Sequence, residues 1–179
     1  EHLNTINLVD KKLTLKISKS SEIMSKSLKS GGTIFWCGNG GSASDSMHLS
    51  AELIGRLKKN RIPLRSISLS ANPATITCIS NDFGFENLFA RQIQALGKKG
   101  DILVLISTSG NSKNIIKTIN QAKKNKMKIV SLLGNTGGKC KGKSNIELIV
   151  NSKSTARIQE SHIMIGHIIC ELIEKNLKL

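Results

Sequence analysis

From residue 33 to the end of the chain, short apolar runs rich in β-branched residues alternate with stretches of helical periodicity. The runs cover residues 33–37, 64–69, 102–106, 128–133 and 146–150, and the helical patterns lie near 43–57, 73–80, 85–96, 112–124 and 155–177. Strands that are apolar at nearly every position are buried on both faces, and the intervening helices are what covers them. The pattern predicts an α/β fold built on one doubly wound, five-stranded parallel sheet. Ahead of it, Ile6, Leu8, Val9, Leu13, Leu15, Ile17, Ile23, Met24 and Leu28 recur at helical spacing, predicting a helix over 4–29 that Gly31-Gly32 ends. Residues 1–30 read as an N-terminal helical arm and 31–179 as the sheet domain, in a single structural domain overall.

The formal net charge of +15 admits nucleic acid, an anionic membrane or an anionic small molecule as partner. The lysines are spread along the chain, with mild clusters at 58–59, 98–99, 123–128 and 139–143, and there is no Tyr and a single Trp. Single-strand binders interleave basic residues with stacking aromatics, and that stripe is missing. A solvated lysine-rich surface is favoured over steering of an anionic substrate, and no nucleic-acid partner is expected. No apolar run approaches the roughly 20 residues needed to cross a bilayer, and no leader pattern is present, so neither a membrane nor export is expected. Cys37, Cys78, Cys140 and Cys170 are widely spaced without a C-x-x-C. They read as reduced thiols of a cytoplasmic protein rather than a disulfide frame or zinc knuckle.

In open parallel sheets, ligands bind beyond the carboxyl ends of the strands. Two polar, glycine-bearing loops fall there. The first, Gly38-Asn39-Gly40-Gly41-Ser42, follows the first strand and precedes a helix. It is neither G-x-G-x-x-G nor a P-loop, so a dinucleotide site is disfavoured, and a purely structural turn remains an equal reading. The second, Ser107-Thr108-Ser109-Gly110-Asn111-Ser112, leads into a helix whose free N–H groups and positive dipole end favour an anion. One capping residue would suffice for the helix alone. The wealth of hydroxyls favours a phosphate cradle.

These loops, with Asn81-Asp82-Phe83-Gly84-Phe85 and Arg157-Ile158-Gln159-Glu160, resemble the sugar isomerase (SIS) domain, and more narrowly the phosphoheptose isomerase family. The likeness runs over essentially the whole chain with the motifs in order. It implies a flavodoxin-like three-layer αβα fold and interconversion of sedoheptulose 7-phosphate with D-glycero-D-manno-heptose 7-phosphate, which supplies heptose to lipopolysaccharide or capsule. It also implies homotetramers with interfacial active sites, and zinc in some members. Carried over by motif, Asn39, Gly40, Gly41 and Ser42 would contact substrate. Ser107, Thr108, Ser109 and Ser112 would hold the phosphate, and Asn81, Asp82 and Gln159 would reach the sugar. Glu52 and His167 match the catalytic pair, with His48 beside them at the substrate. A non-catalytic, replication-initiator-associated branch of the fold lacks the matching His, Glu and His, whereas His48, Glu52 and His167 are all present here. One departure is Ala156, where some isomerases carry Asp before the Arg-Ile-Gln-Glu motif. A sugar-phosphate sensor would need an attached DNA-binding domain.

Aldose–ketose isomerisation through an enediol needs one base at carbon and one acid/base at oxygen, jobs that a carboxylate and an imidazole suit. Glu52 is expected to abstract the proton and His167 to make the complementary transfer, though the residue types alone permit the reverse. His48 and Glu52 are i and i+4 on one helix, so they share a face. As a plain surface pair they would contribute only a few tenths of a kcal/mol. A zinc site would use His48, Glu52, Gln159 and His167. Gln159 and His167 lie roughly 12 Å apart along a continuous helix, so both meet one metal only if Gln159 lies at a frayed helix start or the two come from different subunits. That spacing, with the nearly all-round apolar final helix, predicts an oligomer interface and sites shared between chains. His162 reads as a structural or interface histidine, His2 as inert, and Asp45 as helix-dipole compensation in the first turn.

Overall fold

A computed structural model describes Thr5 and residues 11–179. The expected helical positions Ile6, Leu8 and Val9, and His2, lie outside the described residues. Helix α1 (Lys11–Lys29) leads into β1 (Ile34–Gly38), α2 (Gly41–Ile54), β2 (Ser66–Ser68), α3 (Pro73–Phe83) and α4 (Leu88–Leu96). Then come β3 (Ile102–Ser107), α5 (Lys113–Lys124), β4 (Lys128–Gly134), β5 (Ile146–Val150) and α6 (Thr155–Leu177). The five strands pair in parallel in the order β2-β1-β3-β4-β5. Chain order therefore reverses between β1 and β3, and the crevice of a doubly wound sheet opens at that switch point.

Alternate residues of each strand point to opposite faces, and the two faces carry separate cores. On one, Trp36, Val104, Ile106 and Leu132 meet Met24 of α1, Leu49 and Leu53 of α2, and Ile165 and Ile169 of α6. On the other, Phe35, Leu103, Leu105 and Ile129 meet Ile79, Phe89, Ile93, Ile115 and Ile119. Each such fully buried side chain contributes roughly 1.5–3 kcal/mol from area removed from water.

Several boundaries differ from the sequence reading. Strand β2 is shorter than 64–69, because it is an edge strand paired only with β1. The helix read over 85–96 divides into a 3-10 turn at Phe85–Asn87 and α4. Leu15, counted in the apolar stripe of the first helix, is 65% exposed. The expectation that α6 needs an oligomer interface for burial is corrected. Ile158, Ile165, Ile169 and Ile173 are buried in the chain's own core with α1 and α2, and Ile168 is the exposed large hydrophobic of this helix.

Candidate active site

Gly38 ends β1, and Gly40, the residue before α2, has φ 56°, a left-handed backbone that favours glycine. Gly41 lies against the side-chain amide of Gln159, where a Cβ would collide. The first loop is thus held tightly against the start of α6.

The second loop offers hydroxyls that do not cap α5. Ser112 precedes α5 but its side chain makes no capping hydrogen bond. Ser107 Oγ accepts from the Gly110 N–H at 3.1 Å, and Ser109 Oγ from the Asn111 N–H at 3.2 Å. These bonds shape the loop while leaving hydroxyl protons to donate. Asn39, Ser42, Ser107, Thr108, Ser109 and Ser112, together with Ile106 and Gln159, line one polar cavity of about 80 Å³. It sits at the N-terminus of α5, where a helix accepts an anion.

Beside it, α2 and α6 bring three donors together. His48 Nε2 lies 3.1 Å from Glu52 Oε1 and 3.3 Å from His167 Nε2, and the three ligating atoms all fall within 4.8 Å of one another. The two imidazole rings meet edge-on at 4.9 Å between centroids. Two imidazole nitrogens and a carboxylate oxygen with a remaining open position are a donor set that zinc accepts. Glu52 and His167 meet within one chain, where α2 packs on α6.

Other expected site residues lie elsewhere. Gln159 is two turns before His167 on α6, with its amide against Gly41 and the loop cavity. Asn81 and Asp82 are exposed at the end of α3, where Asn81 donates to Asp82 at 2.8 Å, and neither lines the loop cavity. Arg157 and Glu160 pair with each other on α6. A larger concavity, about 740 Å³, lies between β2, α3 and α4. Its lining is dominated by apolar groups such as Ile67, Phe83 and Leu96, unlike the hydroxyl-lined cavity at the start of α5.

Two residues carry strained ionisation. Helix α2 begins at Gly41, so Asp45 stands beyond the first turn, and the dipole reading is corrected. Burial pushes its carboxyl up to about 6, with His48 opposing, and its Oδ2 has no hydrogen-bond partner among the described residues. His162 is fully buried and pushed down to about 4 by burial, which the Leu133 backbone only partly offsets. Sequence reading missed Asn114, whose amide pairs with that of Asn39; its place two residues after Ser112 in the helix start was the available signal.

Known proteins with this arrangement are close at hand. A family model for the SIS domain matches residues 2–134. A phosphoheptose isomerase from Leptospira biflexa serovar Patoc is 50% identical over 163 residues, covering 90% of this chain and 84% of that protein. One from Nitratiruptor sp. is 47% identical over 176 residues, 98% of this chain and 94% of that protein. The solved phosphoheptose isomerase of Neisseria gonorrhoeae matches with a TM-score of 0.91 at 37% identity, over 98% of this chain and 94% of that one. That of Francisella tularensis gives 0.93 at 36% identity, over 97% and 92%. With the loops, the His–Glu–His group and the sheet order all in hand, the chain belongs to the phosphoheptose isomerase family of SIS-domain proteins.

Proposed function

We infer that the protein interconverts sedoheptulose 7-phosphate and D-glycero-D-manno-heptose 7-phosphate. The observation that carries this reading is the pairing of a hydroxyl-lined anion cavity with the Glu52–His167 pair on the same two helices. On α2, His48 follows the cavity residue Ser42; on α6, His167 follows the cavity residue Gln159. The offsets are roughly 9 and 12 Å of helix. Such a separation suits an open-chain sugar phosphate whose phosphate and reacting carbons sit at opposite ends.

In this reading Ser107, Thr108, Ser109 and Ser112 donate to the phosphate, and Asn39, Gly40, Gly41, Ser42 and Gln159 align the chain of hydroxyls. Glu52 takes the proton from carbon, and His167 moves the proton between the C1 and C2 oxygens through the enediol. His48 buttresses Glu52. His48, Glu52 and His167 would hold zinc, which when bound supplies Lewis-acid polarisation of the carbonyl. The expected fourth donor, Gln159, lies two turns away on α6, out of reach of the same ion within one chain. The non-catalytic adaptor alternative loses its ground, since the three residues that branch lacks are present and adjoin.

A homotetramer in which Asn81 and Asp82 reach a neighbour's site fits their outward position. The division into an arm over 1–30 and a sheet domain over 31–179, a cytoplasmic location, and delivery of product to lipopolysaccharide or capsule belong to the same reading. No helix among the described residues is long and apolar enough to cross a membrane. Incubation with sedoheptulose 7-phosphate, followed by separation of the two heptose phosphates, tests the function. The expected result is an equilibrium mixture with the parent protein and none with Glu52→Gln. An unchanged ketose pool with folded, zinc-supplied parent protein would overturn it.

A further inference from the structure

Arg61 stands in the connection between α2 and β2, outside every motif of the family resemblance, yet its side chain is only 2% exposed. Its guanidinium is fully committed. Nη2 donates to the Glu52 carbonyl at 2.7 Å, and Nη1 donates to the Leu53, Gly55 and Ile62 carbonyls at 2.8, 3.1 and 3.0 Å. Nε donates to Glu174 Oε1 at 2.9 Å. The last carbonyls of a helix have no partner within it and carry the negative end of its dipole. Arg61 satisfies them as a planar fork, a geometry that Lys cannot reproduce.

The other end of this contact is on α6. Glu174, 6% exposed at its side chain, lies seven residues after His167 and so on the same helical face. Its Oε1 also accepts the Leu57 N–H at 3.2 Å. Burial alone would raise the Glu174 carboxyl, but the Leu57 amide and Arg61 outweigh it and hold the group below its usual range. The catalytic pair is therefore bracketed. On the far side of His167, Gly166 lets Leu49 approach so closely that a Cβ would overlap its methyl groups. On the near side, Arg61 ties the main chain of Glu52 to the helix that bears His167.

We propose that Arg61 and Glu174 are positioning residues for the isomerase, acting as a clamp that sets the reach of Glu52 relative to His167. The proposal rests on the isomerase reading for its kinetic consequence and on geometry alone for its structural one. A displacement near 1 Å at reacting groups costs on the order of 100-fold in rate. A surface ion pair between the same two elements supplies the control: Lys58 Nζ meets Glu171 Oε1 at 2.6 Å, with side chains 61% and 50% exposed.

The test compares Arg61→Lys, Glu174→Gln and Lys58→Ala with the parent, in kcat and KM for sedoheptulose 7-phosphate per folded protein, and in crystal structures. Arg61→Lys and Glu174→Gln are expected to lose roughly 10- to 100-fold in kcat with KM within about threefold, and to show the Glu52 carboxylate moved off His48. Lys58→Ala should match the parent. Folded Arg61→Lys with parental kcat and an unmoved Glu52 would overturn the clamp. A lowered melting temperature with parental kcat does so too, since it marks a role in stability only. An inactive parent would overturn the isomerase reading instead, and the position of Glu52 in the variant structures would still decide the clamp.

Discussion

Asn39 and Asn114 exchange side-chain amide hydrogen bonds, at 3.0 and 2.8 Å, across the crevice between the loops that follow β1 and β3. Asn114 Oδ1 also accepts the Ile115 N–H at 2.9 Å, so one buried amide serves both a helix start and a neighbouring loop. The clasp joins the two halves of the polar cavity at the topological switch point. Asn114→Ala leaves the Asn39 amide and the Ile115 N–H without their partner. Each lost bond is worth about 1 kcal/mol. With three bonds lost, we expect a loss of about 3 kcal/mol in urea unfolding and a rise in KM of at least about tenfold, whereas Asn114 acting purely as a helix-start residue would leave KM unchanged.

Removal of the acid/base groups should act on turnover rather than binding. Glu52→Gln and His167→Ala are each expected to lower kcat by roughly 100- to 10,000-fold, with KM changed only a few-fold. Because both side chains meet within one chain, mixed oligomers of these two variants should recover nothing beyond the sum of the two variants' own activities. Mixed oligomers of Glu52→Gln with Asp82→Ala should recover activity if Asp82 serves a neighbour's site. Recovery in the first mixture would contradict the intrachain pair.

Phosphate recognition should be separable from chemistry. Hydrogen bonds to a charged group are worth about 1.5–3 kcal/mol, or roughly 10- to 150-fold in affinity. Ser109→Ala and Thr108→Val are expected to raise KM within that range and leave kcat near the parent value. Inorganic phosphate competing with substrate in the parent, and losing that effect in Ser109→Ala, is the check.

Zinc should bind through His48, Glu52 and His167. Equilibrium dialysis is expected to find one zinc per chain in the parent and none retained by His48→Ala. Chelation should lower turnover and added zinc restore it. Full activity in metal-free protein, verified by elemental measurement, would exclude the metal from catalysis.

A buried histidine and a half-buried aspartate give opposite pH signatures. His162 is held down to about 4 from its ordinary 6.5, so the unfolded chain binds its proton first as pH falls. Its stabilisation is complete above about 6.5 and is lost on the order of 3 kcal/mol by pH 4. His162→Leu should flatten the stability profile across that window. Asp45, raised to about 6, behaves in reverse: its contribution is present below about 4 and lost as pH rises through 6. Asp45→Asn should gain stability relative to the parent at pH 7 and not at pH 4. Chemical unfolding from pH 3.5 to 8 checks both.

The near-continuous apolar runs and the helical spacings between them were enough to read the parallel sheet, because burial on both faces leaves no other composition for such strands. The polar loops were legible for a related reason, since hydroxyls and glycines clustered at a strand end have no core to fill. Less was legible where partners are far apart in sequence. Arg61 and Glu174, separated by 113 residues, carry no local pattern. Asn39 and Asn114, 75 apart, look like ordinary loop and helix polar residues until the switch point brings them together.

What the sequence by itself determined is the fold class and the two polar loops at strand ends, both of which are local in chain order. Whether Glu52 and His167 share one site was decided only by tertiary structure. Spacing along α6 says only that Gln159 and His167 stand two turns apart, whereas the crossing of α6 over α2, fixed by Gly166 on Leu49 and Arg61 on Glu174, brings the side chains of Glu52 and His167 together. Helical periodicity tells which face a residue occupies, but not which other helix that face will meet.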